Sequence, residues 1–589
     1  MNGAKFMKCA LLLCSVLAAI PAIAQPKTPF VFNVANSASY GANIAQGSLF
    51  IVYGSSLGPT ELVQASSLPL PAQLGGTAIA VTSGSIMLAC PMVYSSAGAV
   101  AAILPSNVPP GSAMLTLTFN GVSTPFPLAV NVVTSAPGLY TLGSSGLGPG
   151  VFTATNNSVK TFAASAKSGD IVTAWGTGLG PVSGPDDGVP SSFPNFSGVE
   201  AFVGTQPANV LYAGRSGCCV GVDQISFEIP AGVTGCYVPV AVRSGGTLSN
   251  FVSIAVGNGG PCSDTAPTVP VSIMNKAASG QPVKAAALAA GPVSVLQGLG
   301  FNERLYLADT LSKLLRVKVS QEDVAKLLRA EQTHDRRALT RAMFKYGAAW
   351  KKLSPAAKTA VQAALNSKQE GAVASFGQFG TPAVLAAALG GLFPSQGTCT
   401  TLTTVPNLSS SPPVGLDAGP SLTLSGPAGL WNLASAKPGQ YQVLFGSTPQ
   451  GPNLPLGTYS IASAGGHDLK AFSVTLNVGG NIVWTNKAAI NSVDRSQPLT
   501  VIWSGTATPG YVVVGGYAFL DSAVGIFVCT EDASVGSFTI PSFILSVLPA
   551  GTGGMFISPH PLSHQVTIPG VDLAYFMDGS NDSKSVAYQ

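Results

Sequence analysis

The chain has 589 residues, of which 46% are hydrophobic and only 9% charged, with 68 glycines, 45 prolines and a formal net charge of +4. Charge this sparse beside so much apolar content excludes a disordered chain, and the near-neutral balance gives no reason to expect a polyanion as partner of the whole molecule. Short apolar runs punctuated by Gly and Pro point instead to β-strands joined by turns, on a length that allows three or four domains of roughly 100–200 residues each.

At the amino terminus, Lys5 and Lys8 precede an uncharged apolar stretch from Cys9 to Ile20, and Pro21-Ala22-Ile23-Ala24 places small residues three and one before Gln25. That is the pattern a signal peptidase reads, so residues 1–24 are expected to be a signal peptide and Gln25 the first residue of the exported protein. The apolar stretch falls short of the roughly 20 residues a membrane-spanning helix needs. A lipoprotein reading at Leu13-Cys14 is disfavoured, because apolar residues continue past the cysteine.

An internal repeat follows. Ile51-Val52-Tyr53-Gly54-Ser55-Ser56-Leu57-Gly58-Pro59 recurs as Thr173-Ala174-Trp175-Gly176-Thr177-Gly178-Leu179-Gly180-Pro181. Met92-Val93-Tyr94 is matched by Val210-Leu211-Tyr212, and Ile103-Leu104-Pro105 by Glu228-Ile229-Pro230. The offsets of 122, 118 and 125 residues keep the order and drift only by loop-sized amounts. Two tandem units of about 110 residues, an ordinary β-sandwich size, explain this. Within them Leu115, Leu117 and Phe119 alternate with Thr116 and Thr118 before Asn120-Gly121, which reads as a half-buried strand and a hairpin turn. Val238, Val240 and Val242 repeat the pattern before Ser244-Gly245-Gly246.

The Gly-x-x-Leu-Gly-Pro turn, the apolar-Tyr pair and the Ile-Pro element together resemble IPT/TIG-type immunoglobulin-like repeats. Residues 30–257 more closely resemble an uncharacterised paired-repeat family of secreted soil-bacterial proteins, above all over the segment Ala213–Ile225 with Arg215, Cys218, Cys219 and Asp223. Residues 415–550 resemble a second uncharacterised β domain through Leu454-Pro455-Leu456-Gly457-Thr458-Tyr459 and Gly525-Ile526-Phe527-Val528-Cys529. The resemblance implies a fold and secretion, not a reaction.

Ser263–Pro292 is poor in charge and rich in Ala, Pro and Ser, and reads as a linker. Residues 301–366 then switch to helical periodicity, with Leu305, Ala308, Leu311 and Leu315 on one face, Val324, Leu327 and Leu328 on the next, and Ser320 and Ser354 placed as N-caps. A last apolar helix is expected from Pro382 to Leu392. Residues 301–370 hold 14 Lys/Arg and 7 Asp/Glu, whereas the rest of the exported chain has 12 basic and 17 acidic residues. This segregation makes Arg336, Arg337, Arg341, Lys345, Lys351 and Lys352 a candidate patch for an anionic surface; the alternative is that they solvate short helices or meet the acidic sandwiches in cis. From Asp417 onward strand alternation and Gly-rich turns return, and the tail after Asp578 looks frayed.

Seven cysteines remain after the leader: Cys90, Cys218, Cys219, Cys236, Cys262, Cys399 and Cys529. Export makes disulfides plausible. A bond between neighbouring Cys218 and Cys219 closes a strained ring, so one of them is expected to pair with Cys236 and the other with Cys262, and Cys399 with Cys529 to pin the last sandwich to its linker. Cys90 is left over. Gly54-Ser55-Ser56-Leu57-Gly58 matches the nucleophile-elbow pattern in letters, but β and Gly-Pro flanks and Gly178 at the position of Ser56 favour a turn. His334, His467, His560 and His564 form no zinc-helix motif, and His467-Asp468 reads as chance adjacency in a Gly-rich turn. Asp468, Asp494, Trp484 and Trp503 raise a glycan site, against the plainer reading of strand tryptophans as core.

The expected architecture is mainly β: a signal peptide (1–24), tandem immunoglobulin-like β-sandwiches (25–138 and 139–262), a linker (263–300), a small helical module (301–397), a second linker (398–414), a C-terminal β-sandwich (415–578) and a tail (579–589). The favoured function is a secreted or cell-surface, non-catalytic interaction or adhesion scaffold with an unknown protein or glycan partner at the cell exterior. The alternative is a secreted hydrolase or carbohydrate-binding protein. No catalytic residue, metal, cofactor or specific nucleic-acid partner is assigned.

Overall fold

The computed structural model describes residues 28–190, 192–193, 195–262, 270–279, 281–292, 370–379, 394–402, 414–427, 429–446, 457–478, 482–505, 510–520, 523–561, 566–578 and 582–589, with isolated positions at 318, 320, 322–324, 354 and 355. The signal peptide, the basic patch Arg336, Arg337, Arg341, Lys345, Lys351 and Lys352, and the helix expected over Pro382–Leu392 lie outside them. Of the helical segment, Ser320 is described: its Oγ accepts from Asp323 N (3.2 Å) while Asp323 Oδ2 accepts from Ser320 N (3.3 Å), a reciprocal cap.

The first immunoglobulin-like sandwich stacks a sheet ordered Phe30–Asn36, Leu49–Ser55, Ala99–Ile103, Met92–Ser95, Val63–Gln64 on one ordered Asn43–Ala45, Leu128–Val133, Gly111–Phe119, Thr77–Ser83, Gln73–Leu74. Val52, Phe50, Ile79, Leu115 and Leu117 fill the space between them, as inward positions of alternating strands do. The second sandwich repeats the motif with Ile171–Thr177, Asp223–Glu228 and Val210–Arg215 in the places of Leu49–Ser55, Ala99–Ile103 and Met92–Ser95. The duplication extends to an irregularity. Register shifts between Met92 and Tyr94 in the first copy and between Val210 and Tyr212 in the second, so Val93 and Leu211 are the same β-bulge.

The C-terminal region is larger than the sequence suggests. A nine-stranded sheet runs Phe472–Val478, Gly457–Ser463, Ser421–Gly426, Gly429–Lys437, Gln440–Gly446, Glu370–Phe379, Val283–Pro292, Leu573–Asp578, with Val414–Gly415 paired beside Glu370–Phe379. A six-stranded sheet runs Thr398–Leu402, Ala523–Asp532, Gly510–Leu520, Gly551–Pro561, Asp582–Tyr588, Ser492–Val493, and Val483–Trp484, Leu499–Ser504 and Ser537–Ile540 form a small third sheet. Val283–Pro292 is therefore a central strand where a linker is expected, antiparallel to Glu370–Phe379 and parallel to Leu573–Asp578. Its run of alanines masks it, because a strand covered on both faces loses alternation and Ala has little strand preference. Glu370–Phe379 likewise lies inside the expected helical module, Thr398–Leu402 inside the second expected linker, and Asp582–Tyr588 is a paired strand inside the expected frayed tail.

This region is fused to the second sandwich. Phe202 stacks on Phe543 at 4.2 Å, and Phe202, Ala241 and Phe251 share a core with Trp484, Val501, Trp503 and Val514. Ser395 ties the two by accepting from Tyr237 N through its Oγ (3.0 Å) and donating its N–H to Tyr237 O (3.2 Å).

The Cys399–Cys529 disulfide joins directly opposed residues of adjacent strands in the six-stranded sheet, so Cys399 belongs to the sheet rather than to a linker. It closes a loop with a sequence separation of 130, against 26 for Cys236–Cys262. In the chain-entropy model these are worth about 5 and about 3.5 kcal/mol. The double substitution Cys399→Ala/Cys529→Ala is accordingly expected to lower the thermal midpoint more than Cys236→Ala/Cys262→Ala; calorimetry of the two variants checks the order, and the reverse ranking would contradict it.

Candidate functional site

The segment that carries the family resemblance is the joint between the two sandwiches. Arg215 ends one strand and Asp223 begins the next; both are buried and form an ion pair at opposing register positions. Asp223 Oδ2 also accepts from Leu179 N (2.8 Å). Arg215 Nη2 donates to Gly180 O and, across the joint, to Gly47 O of the first sandwich, each at 2.7 Å. Burial pushes the Asp223 carboxyl up, and the Arg215 charge and the Leu179 and Gly178 amides pull it back. Around this pair Thr177 Oγ1 accepts from Leu49 N (2.9 Å) and donates to Gly221 O (2.7 Å), Asn36 Nδ2 donates to Ala136 O (3.0 Å), and the Asp186 carboxylate accepts from both Ser106 N and Oγ at 2.6 Å.

The loop between Arg215 and Asp223 corrects the expected disulfides. Cys218 and Cys219 bond each other, with Cα atoms 3.8 Å apart, and Cys236 bonds Cys262. The loop turns on itself through Ser216 N donating to Val222 O (2.8 Å) and Val222 N to Cys219 O (3.3 Å), which holds both neighbouring cysteines at its exposed tip. Cys262 is held elsewhere, its N–H on Phe162 O (2.7 Å), next to Cys236 at the start of the Gly235–Ser244 strand. Cys90 is a free, fully buried thiol whose pKa burial raises.

Residues weighed for chemistry take structural places. Ser56 sits in a turn at φ +56, and Gly178 holds the matching turn of the second copy at φ +97. His467 Nδ1 meets Asp468 Oδ1 at 2.8 Å, but the imidazole is 88% exposed, and the Asp417 carboxylate caps the same turn by accepting from His467 N and Gly419 N. The hydrogen bond and charge of Asp468 raise the His467 pKa. Asp494 accepts from Ser496 N and Oγ in its own turn. Trp484 and Trp503 are each 3% exposed, with their indole N–H groups on Asn486 Oδ1 and Ala533 O. These residues do not assemble a glycan site. His334 and His564 lie outside the described residues, and among the described residues no cluster of three or more His, Cys, Asp or Glu could hold a metal.

What the structure does assemble is an aromatic groove on one face of the six-stranded sheet. Tyr511, Val513, Tyr517 and Phe519 share that face of the Gly510–Leu520 strand. Tyr511 and Val513 are covered, whereas Tyr517 is 39% and Phe519 49% exposed, with ring centroids 5.3 Å apart. The neighbouring strand makes room for them. A Cβ at Gly554 would lie 2.8 Å from the Tyr517 ring, so the ring lies across bare backbone, and Phe556 lies across Gly515 in the same way. Asn491, Thr552, Gly553, Ser585, Val586 and Ala587 complete a groove of about 460 Å³, which has no carboxylate, amine or guanidinium in its lining. Sequence reasoning missed it. The legible signal was an aromatic pair two residues apart beside Gly515-Gly516 and opposite Gly553-Gly554.

No protein-family model matches the chain. No curated protein matches it either. Among solved structures it is similar to the Bacteroides ovatus mixed-linkage glucan utilization locus protein SGBP-B in complex with a mixed-linkage heptasaccharide, at 12% identity and a TM-score of 0.18 over 36% of this chain and 44% of that one. It is also similar to a tetra-tandem repeat from the extending region of a large adhesion protein (9% identity, TM-score 0.12, 92% and 98% of the two chains) and to the Yersinia pseudotuberculosis adhesin InvE (14%, 0.12, 38% and 58%). These likenesses carry no inference about a ligand.

Removing one partner of a buried ion pair costs about 3–5 kcal/mol, because the other charge stays buried. Arg215→Ala is therefore expected to speed amide exchange at Leu49 and Leu179 by roughly two orders of magnitude or more through local opening of the joint. Hydrogen exchange on the full chain checks this, and unchanged protection at both amides would show that the pair does not hold the joint.

Proposed function

We propose that this chain is an exported, non-catalytic binding scaffold in which two IPT/TIG-type immunoglobulin-like sandwiches, locked by the Arg215 joint, carry a C-terminal β domain whose aromatic groove is the binding surface. The groove carries this reading. Tyr511 and Val513 on the same strand face are buried, yet Tyr517 and Phe519 stand side by side in solvent beside the exposed Leu520, shaped by glycines and rimmed by uncharged polar groups. Contiguous exposed aromatics of this kind mark interaction sites. Disulfides and a leader-like amino terminus support action at the cell exterior, in the envelope or beyond it. The hydrolase alternative rests on His467 and Asp468, and their solvent-exposed turn gives no desolvated pocket in which a nucleophile is activated.

The test uses the mature full-length protein and its Tyr517→Ser/Phe519→Ser variant, titrated against the cell-envelope fraction of its host. Each ring buries on the order of 100 Å² on binding, so the pair is expected to weaken half-saturation at least tenfold. Equal retention of both proteins would remove the groove from the function.

A further inference from the structure

The occupant of this groove can be narrowed by its size, charge and hydrogen-bonding groups. We infer that the groove between Tyr517, Phe519, Thr552, Ser585 and Asn491 binds an uncharged polysaccharide chain laid across the sheet face. This rests on the scaffold reading above and names its ligand class.

Three observations converge. The first is the aromatic floor: Tyr517 and Phe519 lie on one strand, 5.3 Å apart and inclined by 55°, an exposed pair of ring faces and edges. Sugar rings carry a face of C–H groups that packs on such surfaces, while their hydroxyls need polar partners at the edge. The second is the rim. Among the described residues, the hydroxyls of Thr552 and Ser585 and the Asn491 amide nitrogen have no protein acceptor, and all three residues are exposed. Asn491 Oδ1 is already held by Lys584 Nζ at 2.9 Å, which leaves its NH₂ group to donate outward. Hydroxyl and amide groups of this kind match the donor–acceptor character of a polyol.

The third observation is charge. No charged side chain lines the groove, and the nearest lysines are committed: Lys584 Nζ donates to Lys487 O (2.8 Å), and Lys487 pairs with Asp582. An acidic polymer would find no counter-charge in the lining itself, only the Lys584 ammonium behind Asn491, whose hydrogen bonds are taken up by Lys487 O and Asn491 Oδ1. Size argues against a protein. A standard protein interface takes roughly 20–30 residues a side, and eight residues line this groove. A second copy of the chain is disfavoured on the same ground.

The experiment is affinity electrophoresis of the mature full-length chain in native gels containing hydroxyethylcellulose, laminarin, xyloglucan, galactomannan or dextran, with polygalacturonate as the charged comparison. Tyr517→Ala, Phe519→Ala and the double variant run beside it, their folding checked by thermal melts that exposed side chains should leave unchanged. The expected result is retardation in at least one neutral polymer, weakened about tenfold by each substitution and unaltered between low and 1 M salt. Four results would overturn the inference: no retardation in any neutral polymer, retardation that survives the double variant, retardation in polygalacturonate alone, or a dimer in sedimentation that the double variant dissolves. Loss of envelope binding in the double variant without neutral-polymer retardation would refute the glycan and leave the scaffold reading. Envelope binding and gel mobility both indifferent to the double variant would end both.

Discussion

Burying the Arg215 guanidinium is favourable only when every group facing it is in place, and that condition couples the two sandwiches. A charge moved out of water is stabilised only by well-placed partners. Asp223 and Gly180 belong to the second sandwich, but the carbonyl of Gly47 belongs to the first. Separation of the sandwiches would strip one partner from Arg215 and at the same time free Leu49 N, which donates to Thr177 Oγ1. The joint is thus held by hydrogen bonds that are individually ordinary and collectively conditional on one buried charge. The Arg215 carbon Cζ also lies 6.0 Å from the centre of the Phe196 ring, which shields that face of the guanidinium.

The duplication shows how this joint is built into one copy only. In the first repeat the turn after Leu49–Ser55 is closed by Leu57 N donating to the backbone carbonyl of Ala97. In the second, the matching Leu179 N donates to the Asp223 carboxylate instead. The same turn amide is satisfied by main chain in one copy and by a charged side chain in the other. That exchange brings a carboxylate into the interior, and the carboxylate in turn holds Arg215. Two sequences with the same turn and the same bulge therefore differ in whether they can dock a neighbour.

What could be read from the sequence follows from what local physics imposes. The Gly-x-x-Leu-Gly-Pro turn demands positive φ, occupied by Ser56 and Gly178, and so it leaves a repeated trace. The immunoglobulin-like sandwiches were legible for that reason. Val283–Pro292 was not, because a central strand of small residues shows neither alternation nor β-branched content, and its partners lie far along the chain at Glu370–Phe379 and Leu573–Asp578. The cysteine pairing failed on an assumption about ring strain; the loop's own hydrogen bonds keep Cys218 and Cys219 together and away from Cys236. Glycan reasoning picked Trp484 and Trp503 by residue type, whereas burial depends on which face of a strand a residue occupies, and both point into the core.

The groove's exposure has a cause within a single strand. Along Gly510–Leu520 the face that carries Tyr511 and Val513 is covered, where Val528 and Phe556 pack against it. Past Gly515 the same face continues with Tyr517 and Phe519 and is open. Burial of these rings by their own domain would be favourable by about 25 cal/mol for each Å² removed from water, so an uncovered pair is a standing cost. The sequence does not soften that cost with polar substitutions at these positions. It places glycine at 554 instead, where a Cβ would lie 2.8 Å from the Tyr517 ring, so the ring approaches the neighbouring strand more closely than a side chain there would allow. A ring seated this closely on the strand is partly covered by its own fold and 39% exposed. Such a surface is preorganised, since little rotamer freedom remains to be lost when something binds. Position 554 therefore sets how closely the Tyr517 ring approaches the sheet beneath the groove.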